Sequence, residues 1–420
     1  MTVRFVHAAD VHLDSPLCGL DEYPGAPVEK LRRATRDAFE NLIDLCLKEK
    51  VELLILAGDL YDGDWPDFNT GLYFNQHMVR LREAGIEVSL VRGNHDAASR
   101  ITRQLRLPEN VHVFSERQPE THKLERLGVA LHGQSYPNRE VTDNLARGYP
   151  DPVSGWLNIG VLHTALTGRN GHAPYAPCSE SDLRAKGYDY FALGHVHQHE
   201  IVSREPHIVF SGCLQGRHVR ETGPKGCFLV TAEEGRIADL DFRELDVLRW
   251  VRLTIDVKDA ASEDDIFAGV QGALAQAKLE ADGRYLAARL QLVLPEPLCR
   301  HLDRDPERFA QQVRSLGIEA GNDEVWIERI TWEAAAASRP VSSQDDGLAE
   351  LSSVVDELLE DNALLDAIKA ELARLFDKLP AEVTHAVELP DLQDRAYVAQ
   401  LVQRARSLLL GRLSAEEEPP

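Results

Sequence analysis

The 420-residue chain has no two cysteines spaced as C-x-x-C; its six, Cys18, Cys46, Cys178, Cys213, Cys227 and Cys299, are scattered. That argues against a disulfide framework or a structural zinc site, and it fits a reducing cytosol. No apolar run approaches the roughly 20 residues needed to span a bilayer. The opening MTVRFVHAADVH lacks the apolar stretch of a signal peptide, so a cytoplasmic location is expected. Positive charge is also short, with 46 basic against 69 acidic residues and a net charge of −23. A field of that sign repels phosphate backbones, which restricts any nucleic-acid binding to a local cationic site. The shortage is uneven: residues 1–250 carry 36 acids and 28 bases, while 251–420 carry 33 and 18. A site for anions is therefore expected in the first part. There is no internal repeat.

What is present is an ordinary globular composition, 43% hydrophobic and 27% charged, long enough for two or three folded units. Residues 1–245 alternate short β-branched or apolar runs with helical patterns. Val3 to His7, Leu53 to Leu56, Ile86 to Val91, Val129 to His132, Asn158 to Leu162 and Tyr190 to Leu193 predict buried strands. Val28 to Lys48 and Phe68 to Ala84 have helical spacing. Such alternation implies parallel pairing with helices over the sheet, and functional residues in the loops at the strands' carboxyl ends. Residues 248–335 repeat the theme in miniature, with strands at Trp250 to Val257, Tyr285 to Val293 and Val325 to Trp332 and helices at Asp264 to Leu279 and Pro306 to Leu316. They read as a small α+β domain. Residues 336–347 read as a linker and 348–412 as a helical C-terminal region, before a disordered tail at 413–420. In that region Leu348, Leu351, Val355, Leu358, Asn362, Leu365, Lys369, Leu372 and Phe376 follow a 3,4 spacing that makes one apolar stripe.

Five short motifs follow predicted strands: Asp10-Val-His12, Gly58-Asp59-Leu-Tyr-Asp62, Gly93-Asn94-His95-Asp96, His163 in Val161-Leu-His-Thr164, and Gly194-His195-Val-His197. A single histidine at a strand end is ordinarily a packing residue. Carboxylates, an amide and several imidazoles on successive strand ends have little structural purpose unless something binds them. Such donors without thiolate favour manganese, iron or zinc over calcium or copper. A central carboxylate, here Asp59, can bridge two ions about 3.5–4 Å apart, the arrangement used in phosphoryl chemistry. Two divalent ions against Asp10, Asp59 and one hydroxide keep a net positive charge, so the site attracts phosphate even inside an acidic protein.

The series D-x-H, G-D-x-x-D, G-N-H-D, H and G-H-x-H resembles the calcineurin-like metallophosphoesterase superfamily. The wording of His7-Ala-Ala-Asp-Val-His-Leu-Asp14, Gly58-Asp-Leu-Tyr-Asp62 and Tyr188-Asp-Tyr-Phe-Ala-Leu-Gly-His-Val-His197 resembles its DNA-repair exonuclease branch, the SbcD-like proteins and especially the YhaO-like group. The resemblance spans residues 1–245. It implies an α/β fold, a β-sandwich flanked by helices, with 248–335 in the position of a capping domain. It further implies a first metal on Asp10, His12, Asp59 and His197, and a second on Asp59, Asn94, His163 and His195. His95 is then the non-ligand histidine that faces the scissile phosphate and assists the departing oxygen. Asp62 orients it, with Asp96 as the rival for that task. The implied activity is two-metal hydrolysis of DNA, most simply with Mn²⁺, Fe²⁺ or Zn²⁺ serving otherwise, as a repair exonuclease. The implied partner is an SMC-like coiled-coil ATPase docked on the helical C-terminal region. SbcD-like proteins often pair, so a homodimer is a further expectation.

Other signals are weaker. The segment from Ser211 to Gly226 sets Arg217, Arg220 and Lys225 among glycines and could grip the backbone phosphates of DNA. Its bland reading is a loop with solvated charges. Arg92, Arg100 and Arg103 flank the G-N-H-D loop and could grip phosphates too, but read first as solvated surface. The loop Gly168 to Cys178, with one aromatic, could border the substrate but reads first as plain connection, and His7, His112, His132, His199 and His207 read as structural, His7 and His199 being the candidates to stand behind the metal ligands. Two alternatives to a nuclease stay open, a hydrolase of another phosphoester (protein phosphate, cyclic nucleotide or nucleotide-sugar) and a metal-stabilised scaffold that cuts nothing.

Overall fold

The computed structural model describes residues 2–15, 17, 28–62, 68–98, 106–167, 175–321, 324–335, 369–374 and 402. The expected linker and tail, and the apolar stripe apart from helical Lys369–Arg374, lie outside these. The chain divides into two compact units, the first running to Arg249 and the second beginning at Trp250.

In the first unit β1 (Thr2–Ala8), β2 (Leu53–Ala57), β3 (Glu87–Val91) and β4 (Val111–Val113) run parallel, and β11 (Gly226–Glu233) and β12 (Arg236–Glu244) extend the sheet antiparallel beside β1. A second sheet has the order β5 (Glu120–Leu124), β6 (Val129–Gly133), β7 (Leu157–His163), β8 (Tyr190–Gly194), β10 (His207–Phe210), β9 (Glu200–Arg204). Its four central strands, β6, β7, β8 and β10, are parallel.

Burial follows from the period-two geometry of strands. Val3, Phe5, Leu53 and Ile55 point to one side and pack with Val129, Leu131, Ile159, Val161, Tyr190 and Ala192 of the other sheet. Val6, Ala8, Leu54 and Leu56 point to the opposite side. There they meet Phe39, Leu42 and Ile43 of α1 (Val28–Glu49) and Phe74 and Met78 of α2 (Phe68–Glu83). The outer face of the second sheet buries Leu162, Phe191, Leu193 and Phe210 with Tyr149 and with Leu183 of the short helix Glu180–Arg184. The strands are covered on both faces, which is why they read as unbroken apolar runs rather than alternating ones. This is the helix-flanked β-sandwich that the resemblance implies. In this unit the strand and helix expectations hold within a residue or two. The edge strands β4, β5, β9 and β12 lack such runs and have mixed exposure, whereas β10 and β11 do carry buried apolar runs, Ile208–Phe210 and Cys227–Val230, that the sequence expectation passed over.

The second unit has a three-stranded sheet of β13 (Leu248–Asp256), β14 (Tyr285–Leu294) and β15 (Val325–Ala334), the last two parallel. Ile266, Val270 and Leu274, four residues apart on the helix Glu263–Glu280, pack with Phe309 and Val313 of the helix Pro306–Gly321. Both meet Leu286, Ala288, Leu290 and Leu292 of β14. The helix Glu296–Leu302 has no counterpart in the sequence expectation.

Replacing Ile55, fully buried between the two large sheets, with Ala removes contacts that the crowded interior cannot close over. The expected cost is about 2–5 kcal/mol, read as a shift of the urea midpoint of the metal-free protein.

Candidate metal centre

The sandwich brings the carboxyl ends of two sets of parallel strands to one edge, the first sheet supplying Asp10, His12, Asp59 and Asn94 and the second His163, His195 and His197. Past β1 and β2 the chain stays paired: Asp10 N–H donates to Gly58 O (2.9 Å), His12 N–H to Asp59 O (3.0 Å) and Leu13 N–H to Leu60 O (2.9 Å). Asp10, His12 and Asp59 take positive φ values of 49°, 44° and 52°. Asp and His are among the side chains that tolerate this region best. His195, at φ 98°, is more strained, as residues at functional sites often are.

Two contacts tie the sheets together within the site. The backbone N–H of His195 donates to both carboxylate oxygens of Asp10 (3.1 and 2.9 Å), and His163 Nδ1 bonds Ala57 O at 3.0 Å. Such approaches require glycine at the neighbouring positions. A Cβ on Gly58 would lie 2.3 Å from His163 Nδ1, one on Gly194 would lie 2.0 Å from Ala57 O, and one on Gly93 would lie 2.2 Å from Asp59 Oδ1.

The seven expected ligands converge. Asp59 Oδ2 is 3.3 Å from His163 Nε2 and 4.0 Å from His12 Nε2. Asn94 Oδ1 is 3.0 Å from His163 Nε2. His12 Nε2 and His197 Nε2 face each other at 3.3 Å, and His197 Nε2 is 3.9 Å from Asp10 Oδ1. The His195 ring packs edge-on against His163, 5.2 Å between centroids. Two sets, Asp10 with His12 and His197 and Asp10 with Asp59 and His163, each place their ligand atoms within 4.8 Å of one another.

The donors fit cations on internal evidence. The His12 and His197 nitrogens oppose each other across hydrogen-bond distance, and buried His12 Nδ1 has no hydrogen-bond partner among the described residues. The outer nitrogens of His163 and His197 are held by Ala57 O and Glu221, which turns each Nε2 inward, as metal-bound histidines require. Burial disfavours charge on His163, but Asp59 and Asp10 beside it push its pKa up to about 9. Burial likewise opposes a charged Asp59, yet His163, His95 and His12 hold it well below the usual carboxylate range. The cluster favours positive charge at its centre.

His95 stands beside the cluster, its Nδ1 2.7 Å from Asp62 Oδ1 and its backbone N–H bonded to Asp59 Oδ1 at 3.0 Å. Against the cost of burial, the Asp62 bond raises its pKa. The rivalry between Asp62 and Asp96 is resolved by geometry. Asp96 accepts the backbone N–H groups of Leu60 (3.1 Å), Tyr61 (2.9 Å) and Gly93 (3.1 Å) and so shapes the loops. Burial raises its carboxyl to about 6.

Two sequence expectations need correction. Lys225 cannot grip DNA from where it lies. It is 2% exposed, with its ammonium bonded to His197 O (3.3 Å) and Gln198 Oε1 (3.0 Å). Arg217 is also turned inward, onto Ser15 and Asp62, which leaves exposed Arg220 as the one cation of the three at the surface. The ring of Tyr175, near the end of the loop read as connection or substrate border, packs edge-on against His195 at 5.6 Å. The structural histidines are placed as expected. His7 sits between Tyr190 and Leu193 O, and burial lowers its pKa to about 3. His132 bonds Thr121 and Asn158, and His199 stacks on Phe242. Arg92 lies 3.8 Å from Glu116, while Arg100 and Arg103 fall outside the described residues.

Sequence reasoning missed Glu221, whose Oε1 holds His197 Nδ1 at 2.5 Å while Oε2 accepts the backbone N–H of Arg217 at 2.7 Å. Its only signal was its place in the Ser211–Gly226 segment, where attention fell on the cations.

A family model described as calcineurin-like phosphoesterase matches residues 3–199. An uncharacterized metallophosphoesterase, YhaO of Bacillus subtilis, is 36% identical over 294 residues, which cover 69% of this chain and 71% of that protein. The chain belongs to the calcineurin-like metallophosphoesterases. Within this family of hydrolases that use two divalent metals, residues 250–335 match the YhaO middle domain. A DNA double-strand break repair protein, Mre11 of Methanopyrus kandleri, is 26% identical over 78% of this metallophosphoesterase and 70% of its own length. A solved dimetal phosphatase from Danio rerio aligns with 57% of this chain and 99% of its own, at a TM-score of 0.35 and 12% identity. Among the described residues no helix is long and apolar enough to cross a membrane, and the five described cysteines are free.

Glu221→Gln removes the carboxylate that fixes the His197 ring. Metal titration by calorimetry should show one of two Mn²⁺ ions bound about 10–100-fold more weakly, with the other little changed.

Proposed function

We propose that this metallophosphoesterase hydrolyses the phosphodiester bonds of DNA as a repair exonuclease and works with an SMC-like coiled-coil ATPase. The observation that carries the catalytic part is the 2.7 Å His95–Asp62 pair beside the clustered Asp10, His12, Asp59, His163 and His197. A scaffold that only holds metal needs no such proton carrier. Support for DNA as the substrate comes from similarity to a DNA double-strand break repair protein over 78% of the chain.

In this reading Asp10, His12, Asp59 and His197 hold one ion, and Asp59, Asn94, His163 and His195 the other, with Mn²⁺ the expected metal. When bound, the ions supply Lewis acidity and neutralise charge on the reacting phosphate. The protein's own part is a division of labour. The ligand histidines present Nε2 inward and cannot also carry a proton. His95, with Nδ1 committed to Asp62, has Nε2 left to protonate the departing oxygen. Asp62 remains charged for that purpose. Burial opposes its charge, but His95, His12 and Arg217 hold its pKa below the usual carboxylate range. The ATPase, and its docking on the C-terminal apolar stripe, belong to this proposal through the resemblance alone.

The test is Mn²⁺-dependent cleavage of end-labelled linear DNA beside bis(p-nitrophenyl) phosphate, for wild type and His95→Ala. Wild type should cut both. The variant should bind two Mn²⁺ as before and lose about 10²–10⁴-fold in kcat. Hydrolysis of the small ester with intact DNA would move the reading to another phosphoester, which the net charge of −23 makes the natural second choice.

A further inference from the structure

The segment that sequence reasoning offered to DNA delivers Arg217 behind the proton carrier instead. The Arg217 side chain is 13% exposed, and its Nη1 donates to Ser15 Oγ (3.0 Å) and to Asp62 Oδ2 (3.2 Å). Ser15 Oγ in turn donates to the same Asp62 oxygen at 2.7 Å. These three groups form a triangle that secures one oxygen of the carboxylate. The other oxygen, Oδ1, stands between two imidazoles, 2.7 Å from His95 Nδ1 and 3.9 Å from His12 Nδ1. His12 Nδ1 is buried without a hydrogen-bond partner among the described residues, so it is a standing competitor for that oxygen. Release of Oδ2 would let the carboxylate swing toward it.

We propose that Arg217 is a positioning residue which, with Ser15, commits Asp62 to His95 and away from His12. The proposal rests on the reading of His95 as proton donor. The same residue serves the metal side through its backbone, since its N–H bonds Glu221 Oε2 at 2.7 Å while its Nη2 is 4.0 Å from Glu221 Oε1. Replacing the side chain therefore leaves the close hydrogen bond behind His197 in place and removes the support behind His95. A residue that gripped the substrate phosphate, or merely held the loop, would not divide its effects this way.

The test compares wild type, Arg217→Ala, Arg217→Lys and Ser15→Ala as full-length Mn²⁺ protein on bis(p-nitrophenyl) phosphate and diphenyl phosphate. These esters share a charge and differ in how much their leaving oxygen needs a proton. Arg217→Ala should lose about tenfold more kcat on diphenyl phosphate than on the nitrophenyl ester, because protonation matters more for the poorer leaving group. KM and the affinities for both Mn²⁺ ions should stay within about twofold. Arg217→Lys should restore part of kcat, and Ser15→Ala should show a smaller loss of the same kind. Equal losses on both esters with a raised KM would overturn the proposal in favour of a phosphate contact. Loss of metal binding in both Arg217 variants would overturn it in favour of a structural role.

A readout without turnover keeps this separate from the hydrolase reading. In ¹⁵N spectra of metal-free protein, with His95 assigned by its Ala variant, Arg217→Ala should shift the His95 imidazole and leave His197 in place. A change in both, or in neither, would contradict the proposal. A wild type that cleaves neither ester would sink the hydrolase reading, while the spectra still decide the role of Arg217.

Discussion

The structure depends on one constraint, that several buried carboxylates and imidazoles share a space which only cations can satisfy. Asp59 Oδ2 faces His163 at 3.3 Å and His12 at 4.0 Å, and it is 2% exposed. A charge removed from water this completely is costly unless it is paired and hydrogen-bonded. The neighbouring glycines, the left-handed turns at Asp10, His12 and Asp59, and the continued pairing of the loops past β1 and β2 all serve to reach that geometry. Donors come from both sheets, four from one and three from the other, so the site exists only when the two sheets have closed on each other. Metal affinity and folding are thereby linked.

Around that centre the protein divides its tasks by position. Two of the donors that could hold metal have their outer nitrogens tied to backbone or carboxylate, His163 to Ala57 O and His197 to Glu221. His95 instead gives its Nδ1 to Asp62. The three acidic groups nearby differ in their work because their surroundings differ. Asp59 faces imidazoles, Asp62 faces His95 with Ser15 and Arg217 behind it, and Asp96 is absorbed by three backbone amides. A net charge of −23 coexists with a site for phosphate because the charge that matters is local.

Much of this was legible in the sequence, for identifiable reasons. Strands buried on both faces announce themselves as apolar runs, so β1, β2, β3, β6, β7 and β8 could be read directly. The expected ligands sit at the ends of five of those strands, all but β6, and finding the strands located the site. The edge strands β4, β5, β9 and β12, with mixed exposure, could not be read in that way, and the buried runs of β10 and β11 were passed over. The preference for Asp62 over Asp96 came from the resemblance, and distance separates the two, since Asp62 meets His95 while Asp96 is taken up by backbone amides. Charge alone misled at Lys225, which looks like a phosphate grip in a glycine-rich segment and is in fact folded onto His197 O. Glu221 went unnoticed because a lone glutamate in a loop carries no pattern, and its meaning comes entirely from the imidazole it meets in space.

In the proposed reading Asp59 is the carboxylate that two bound ions would share. Electron paramagnetic resonance of the Mn²⁺-loaded protein tests it directly. Wild type should give the multiline spectrum of an exchange-coupled pair about 3.5–4 Å apart, and Asp59→Asn should give uncoupled manganese signals. Mononuclear signals from fully loaded wild type, or coupling that survives the substitution, would contradict the account.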